Sequence, residues 1–170
     1  DIRFMKLAKW WALENSKDPS TKCGAVLVHS TNKTISMGYN GFPARVRDFA
    51  ARLEDRDVKY KIILHAEENA IWLAQGCNLV GATIYTWPFQ SCAHCAALLA
   101  QYGIGRAVSI EPSESIRYRW MDSINLSNRV MHEAAIHLRL LDQETVGVDN
   151  WDAICNDVRS VERPIEEGNT

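Results

Sequence analysis

The stretch that decides the fold runs from His65 to Ile110, HAEENAIWLAQGCNLVGATIYTWPFQSCAHCAALLAQYGIGRAVSI. Ala66, Ala70, Ile71, Leu73 and Ala74 recur at helical spacing, and Gly76 suits the left-handed residue that closes a helix. Ala82 to Trp87 is an apolar run of strand length. Cys95, Ala96, Leu98, Leu99 and Tyr102 make a second helical stripe stopped by Gly103, and Arg106 to Ile110 reads as a further strand. Strands separated by helices need crossover connections, and helices must then cover the sheet.

Working outward, Phe4, Leu7, Ala8 and Trp11 predict an amphipathic helix over residues 2–16, ended by Lys17-Asp18-Pro19-Ser20. Cys23–Val28 and Thr34–Tyr39 flank the polar turn Ser30-Thr31-Asn32-Lys33 and read as a hairpin. On the other side, Ser115 to Glu133 is a long helix, and Ile136, Leu138 and Leu140 alternate as a fifth strand. The expected fold is α/β and three-layered, a central five-stranded mixed sheet flanked by helices on both faces.

Residues 43–61 are dense in Arg, Asp, Glu and Lys with few apolar anchors, so they read as an exposed loop with room for a short solvated helix. A long loop of this kind is a candidate functional surface. One domain is expected over residues 1–141. Residues 142–170 are polar and weakly patterned, with Val146, Trp151 and Ile154 as isolated anchors, and read as a C-terminal extension or tail with partial disorder.

The 170 residues, 46% of them apolar, suffice for one well-buried core. The formal net charge of −2 supplies no broad positive field for a nucleic-acid polymer, so a small-molecule substrate fits better. No apolar run reaches the length of a membrane span and no signal-peptide pattern opens the chain, so the expected location is cytoplasmic. Of five cysteines, two form Cys92-x-x-Cys95, which in such a compartment points to metal or redox chemistry before a disulfide framework. Cys23, Cys77 and Cys155 read as plain thiols.

His65, Cys92 and Cys95 are three ligands of the kind zinc prefers, and a three-ligand site leaves the fourth position to water. Cysteines three apart on the first turn of a helix face the same way, and the helix N-terminus favours their thiolates. Glu67, two residues after His65, is placed to act as proton shuttle without ligating the metal. Each element has a plainer reading. Cys-x-x-Cys also serves structural zinc and redox pairs, Cys77 or Cys23 could complete a closed site, and Glu67 could simply favour a helix dipole. His94, between the cysteines, should point away from their shared face.

Together, His-Ala-Glu opening one helix and Cys-x-x-Cys opening another form the signature of zinc nucleobase deaminases. The chain resembles the cytidine and deoxycytidylate deaminase superfamily, and within it the deoxycytidylate (dCMP) deaminases. The resemblance covers most of residues 4–141. It rests on Lys17-Asp18-Pro19-Ser20-Thr21-Lys22, Gly38-Tyr39-Asn40-Gly41-Phe42-Pro43 and His65-Ala66-Glu67-Glu68-Asn69-Ala70-Ile71. The Asn-Gly-x-Pro loop and Asn69 separate it from the free-cytosine, tRNA-adenosine and riboflavin-pathway deaminases.

The resemblance implies a cytidine-deaminase-like fold, one catalytic Zn2+ and hydrolysis of dCMP to dUMP and ammonia, feeding thymidylate synthesis. It implies that Asn40 contacts the base, that the backbone at Ala66 holds the pyrimidine edge, and that Ser20, Thr21 and Lys22, with Tyr118, receive the phosphate. Turn chemistry after Pro19 is an equally good reading of Ser20 and Thr21. It further implies a homo-oligomer, a hexamer, activated by dCTP and inhibited by dTTP with Mg2+. The effector site would involve the Asn40–Asp48 loop, with Gly41, Arg45 and Asp48 as candidates.

Two departures stand out. Arg45 occupies a position where the family often has Gly. Ser91 precedes Cys92 where similar enzymes have Pro, with Pro88 displaced upstream, so that Tyr85 to Cys92 is one residue longer. Proline is not a ligand, so the metal reading survives. The walls from Trp87 to Ser91 carry less over, and Trp87 also reads as core. Other cytosine nucleotide, nucleoside or free-base deaminases share the metal site, and a nucleotide-binding regulator with structural zinc is the reading from a different class.

Overall fold

The computed structural model describes residues 1–147, and the sequence anchors Trp151 and Ile154 lie outside them. Five strands form one sheet in the order β2-β1-β3-β4-β5, built from β1 (Gly24–Val28), β2 (Thr34–Tyr39), β3 (Thr83–Trp87), β4 (Arg106–Ile110) and β5 (His137–Leu141). β1 runs antiparallel to both β2 and β3, whereas β3, β4 and β5 are parallel. The mixed sheet expected from the alternating helices and strands is therefore present. Helices α5 (Ala93–Gln101) and α6 (Glu114–Glu133) are the crossovers between the parallel strands.

Strand periodicity divides the core in two. Ala25, Leu27, Ile84 and Ala107 point into a cluster with Ala66, Ala70 and Ile71 of α4 (Ala66–Leu73), Leu99 of α5 and Met131 of α6. Val26, Val28, Tyr85, Trp87 and Val108 point the other way, onto Phe4, Met5, Ala8 and Ala12 of α1 (Ile2–Asn15). Each cluster thus uses alternate residues of the same strands, as the two-residue side-chain period requires. Val146, in a 3₁₀ turn over Glu144–Val146, is buried in the second cluster, so this anchor of the expected extension packs against the α1 face.

Two glycines set the layer spacing. A Cβ at Gly24 would lie 2.2 Å from the Ala8 carbonyl oxygen, and one at Gly38 would lie 2.1 Å from the Ala66 carbonyl oxygen. Helix α1 and the N-terminus of α4 therefore approach the sheet more closely than any side chain would permit. Gly24 also pairs with Tyr39 on one side and Trp87 on the other. Three chain segments consequently leave the sheet at one end, carrying residues 18–23, Asn40 and the approach to Cys92.

The reading of residues 43–61 as an exposed loop needs correction. They hold two short helices, α2 (Ala50–Glu54) and α3 (Arg56–Ile62), with the Asp55 carboxylate capping α3 by accepting from the Asp57 and Val58 N–H groups. Lys59 is only 2% exposed, so α3 has an inward face that its charge density concealed.

Candidate active site

Both ligand-bearing segments are helix starts. His65 is the N-cap of α4, and its backbone N–H donates to Glu68 Oε2 at 2.6 Å, so the third residue of the helix reaches back to close the turn. Cys92 is the N-cap of α5, with Cys95 in the first turn, where the Cys95 N–H points at Cys92 Sγ at 3.5 Å. The two helix starts face each other: His65 Nδ1 lies 3.4 Å from Cys92 Sγ and 3.3 Å from Cys95 Sγ.

Tetrahedral zinc with ordinary Zn–S and Zn–N bonds would put such atoms about 3.6 Å apart. Two sulfurs and one imidazole nitrogen clustered within 4.8 Å of one another therefore fit zinc in both spacing and donor chemistry. His94 is turned outward, its Nε2 3.2 Å from Glu68 Oε1.

The triad's electrostatics follow from this crowding. The thiol of Cys95 and the imidazole of His65 stabilise the Cys92 thiolate, lowering its pKa to about 4. Hydrogen bonding to Cys92, reinforced by the carboxylates of Glu67 and Glu68, raises His65 to about 9 against the opposing effect of burial. Cys95 is held protonated by its bond to Cys92 and by burial. In the absence of metal the site stores one thiolate beside one imidazolium.

Glu67 is 7% exposed and lines the same cavity as His65 and Cys92. Burial pushes its pKa up, so this carboxyl holds a proton more readily than an exposed one. Ser91, also buried, places its hydroxyl near enough to favour the ionised carboxylate, although Ser91 Oγ completes no hydrogen bond among the described residues.

The longer approach to Cys92 is fastened to α6. The Ser127 hydroxyl donates to the Ser91 carbonyl oxygen at 2.7 Å, the Ala93 N–H donates to Ser123 Oγ at 3.1 Å, and Gln90 Nε2 donates to Asn128 Oδ1 at 2.8 Å. Polar residues on the inner side of α6 thus fix the backbone on both sides of Cys92.

The cavity has a volume of about 580 Å³, in the range of small-molecule sites. Ser20, Thr21, Asn40 and Ala66 line it, as the sequence leads one to expect of a substrate pocket. Asn40 is also fully engaged with the protein. Its Oδ1 accepts from Ser16 Oγ at 2.6 Å and from the Cys23 N–H at 2.7 Å, while Nδ2 donates to the Thr21 carbonyl at 2.9 Å and to Asp18 Oδ2 at 3.3 Å. Asn69 lies outside the cavity and donates to the Tyr39 carbonyl at 2.7 Å, tying α4 to the end of β2.

The structure does not bring Lys22 or Tyr118 to the cavity. Lys22 Nζ donates to the Leu13 carbonyl oxygen at 2.9 Å, and Tyr118 is 85% exposed. Gly41, Arg45 and Asp48 lie outside it as well: Gly41 bridges to Leu64, Arg45 is exposed, and Asp48 pairs with Lys17 at 3.0 Å. Sequence reading missed Arg56, Lys59 and Tyr60 of α3 and Arg119, Trp120 and Ser123 of α6, all of which line the cavity. The Asp55 cap with Val58 and Ile62 behind it was the available signal for α3.

A family model for the cytidine and deoxycytidylate deaminase zinc-binding region matches residues 1–111. The chain belongs to this deaminase family. It is 39% identical over 126 residues, 74% of the chain and 83% of the relative, to an uncharacterised deaminase in the luxG 3′ region of Aliivibrio fischeri. It is 31% identical over 141 residues, 80% of the chain and 76% of the relative, to the deoxycytidylate deaminase of Homo sapiens.

Among solved structures, the dCMP deaminase of cyanophage S-TIM5 in complex with dCMP and dUMP superposes with a TM-score of 0.62 at 19% identity, covering 82% of this chain and 94% of that one. That likeness supports the fold. The deaminase is a hydrolytic enzyme whose His65, Cys92 and Cys95 form the cluster suited to catalytic zinc. No described helix is long and apolar enough to cross a membrane.

Proposed function

We propose that the deaminase hydrolyses dCMP to dUMP and ammonia. The observation that carries this reading is that His65 and Cys92 of the triad share one cavity with Glu67, Asn40, Ser20 and Thr21, so a pyrimidine at the metal end extends toward a hydroxyl-bearing wall. Relatives named deoxycytidylate deaminase support the same substrate.

His65, Cys92 and Cys95 would hold the zinc, which would supply Lewis-acid activation of a water. Glu67 would accept one proton from the attacking water and deliver it to the ring nitrogen as the hydroxyl adds to the amine-bearing carbon. It would then pass the remaining proton of that hydroxyl to the amine, which leaves as ammonia as the C–N bond breaks and the carbonyl forms. The Ala66 backbone, beside Glu67 at the start of α4, holds the pyrimidine edge. Asn40 meets the base while keeping the 18–23 segment in place, and Ser20 and Thr21 face the phosphate side.

The reading includes a place in thymidylate precursor supply in the cytoplasm, a homo-hexamer, activation by dCTP, and inhibition by dTTP with Mg2+ through the Gly41–Asp48 segment. Resemblance supports these features. An ultraviolet assay on dCMP, deoxycytidine, cytosine and dCTP, each with and without dTTP and Mg2+, tests them. dCMP is expected to be turned over far faster than deoxycytidine, and comparable rates on cytosine and dCMP overturn the proposal.

A further inference from the structure

The cationic side chains near the cavity are unequally committed. Lys59 Nζ is consumed by Asp18 Oδ1 at 3.0 Å and Ser20 Oγ at 3.2 Å, Lys22 donates to the Leu13 carbonyl, and Arg117 pairs with Glu111. Arg56 and Arg119 line the cavity, and neither guanidinium makes a hydrogen bond or ion pair among the described residues.

These arginines come from different helices that meet at the rim of the cavity. Arg56 opens α3, and Tyr60, one turn later on the same helix, packs edge-on against Trp120 of α6, ring centroids 6.5 Å apart. Trp120 has non-helical angles (φ −116°, ψ 17°), so α6 bends at the residue that follows Arg119. The aromatic contact and the bend together bring two arginines to one cavity, whose lining also includes the carboxylates of Glu54, Glu67 and the Lys59-paired Asp18.

We infer that Arg56 and Arg119, joined across the Tyr60–Trp120 contact, form the phosphate clamp that makes this deaminase select a nucleotide over a nucleoside. The inference rests on the dCMP reading and replaces Lys22 and Tyr118 in it. A guanidinium offers paired donors matched to phosphate oxygens, and two of them from separate helices would fix the phosphate's distance from the metal end. Ser20 completes the clamp as a hydroxyl already oriented by Lys59.

The test compares kcat/KM for dCMP and deoxycytidine in the zinc-loaded enzyme, in Arg56→Ala, Arg119→Ala and their combination, and in the charge-preserving Arg56→Lys and Arg119→Lys. Zinc content and thermal unfolding establish that each variant is folded. Each alanine variant is expected to lower the dCMP-to-deoxycytidine ratio about 10- to 100-fold, chiefly through KM for dCMP, with the lysine variants retaining part of the preference. Inorganic phosphate should compete with dCMP in the parent and lose that effect in the double variant. A strong dCMP preference in the parent that survives in the double variant overturns the clamp alone. A parent that turns over dCMP and deoxycytidine equally overturns both the dCMP reading and the clamp.

Discussion

Lys59 Nζ lies 3.0 Å from Asp18 Oδ1, with both side chains no more than 6% exposed, so one buried ion pair joins α3 to the segment that follows α1. Asp18 Oδ1 also accepts from the Ser20 and Thr21 N–H groups, and Lys59 contacts Ser20 Oγ. The pair therefore shapes the cavity wall. Lys59→Met leaves a buried carboxylate without its cation, and the expected loss in urea unfolding is about 3–5 kcal/mol. Adding Asp18→Asn should recover much of it. Recovery of stability without recovery of KM would show that the ion pair sets the shape of the wall.

Glu67→Gln keeps the size of the side chain and removes its proton chemistry. Since Glu67 is not a member of the ligand cluster, bound zinc should remain at one equivalent while kcat falls about 10²–10⁴-fold. Metal analysis and steady-state assay on the same preparation check this. A variant turning over at the parental rate would refute the proton-shuttle role.

Ser127→Ala strips the buried Ser91 carbonyl of its hydrogen bond, at an expected cost of about 1–3 kcal/mol. The loss falls one residue from a metal ligand, so zinc affinity should drop as well, by about tenfold in chelator competition. Ser127→Thr, which retains the hydroxyl, is the control. Unchanged affinity in the alanine variant would mean that Ser123 and Asn128 suffice to hold the segment.

Zinc uptake by metal-free protein should release protons in a pH-dependent number. At pH 7 His65, raised to about 9, and Cys95 both carry protons that ligation displaces, whereas Cys92, lowered to about 4, is already a thiolate. About two protons per zinc are expected near neutrality, falling toward one as pH passes 9 and His65 deprotonates unaided. Titration calorimetry in buffers of different ionisation enthalpy measures the number. A yield near three at pH 7 would show that Cys92 is protonated before binding.

The strands and the helices crossing between them were legible because their apolar spacing matches their period over five or more residues, as in Ala66–Leu73 and Thr83–Trp87. The ligand triad was legible because its members sit at helix starts with fixed spacing. The outer wall of the cavity was not. Helices α2 and α3 span five and seven residues, too short for periodicity to emerge, and Lys59 reads as solvated although its ammonium is buried against Asp18. Tyr118 is exposed while its neighbours Arg119 and Trp120 reach the cavity, a rotational phase set by the bend at Trp120 that no local pattern announces.

Neither hydrophobic cluster contains His65, Cys92 or Cys95, and the hydrogen bonds from α6 reach the Cys92 segment through serine and asparagine side chains. The two apolar clusters thus close without the ligand side chains, and metal-free protein is expected to keep its fold. Withdrawing zinc would leave a folded, silent chain that regains turnover on resupply, with no new synthesis. A cell short of the ion would keep a dormant stock of this enzyme, making pyrimidine deamination answerable to zinc supply on the timescale of metal exchange.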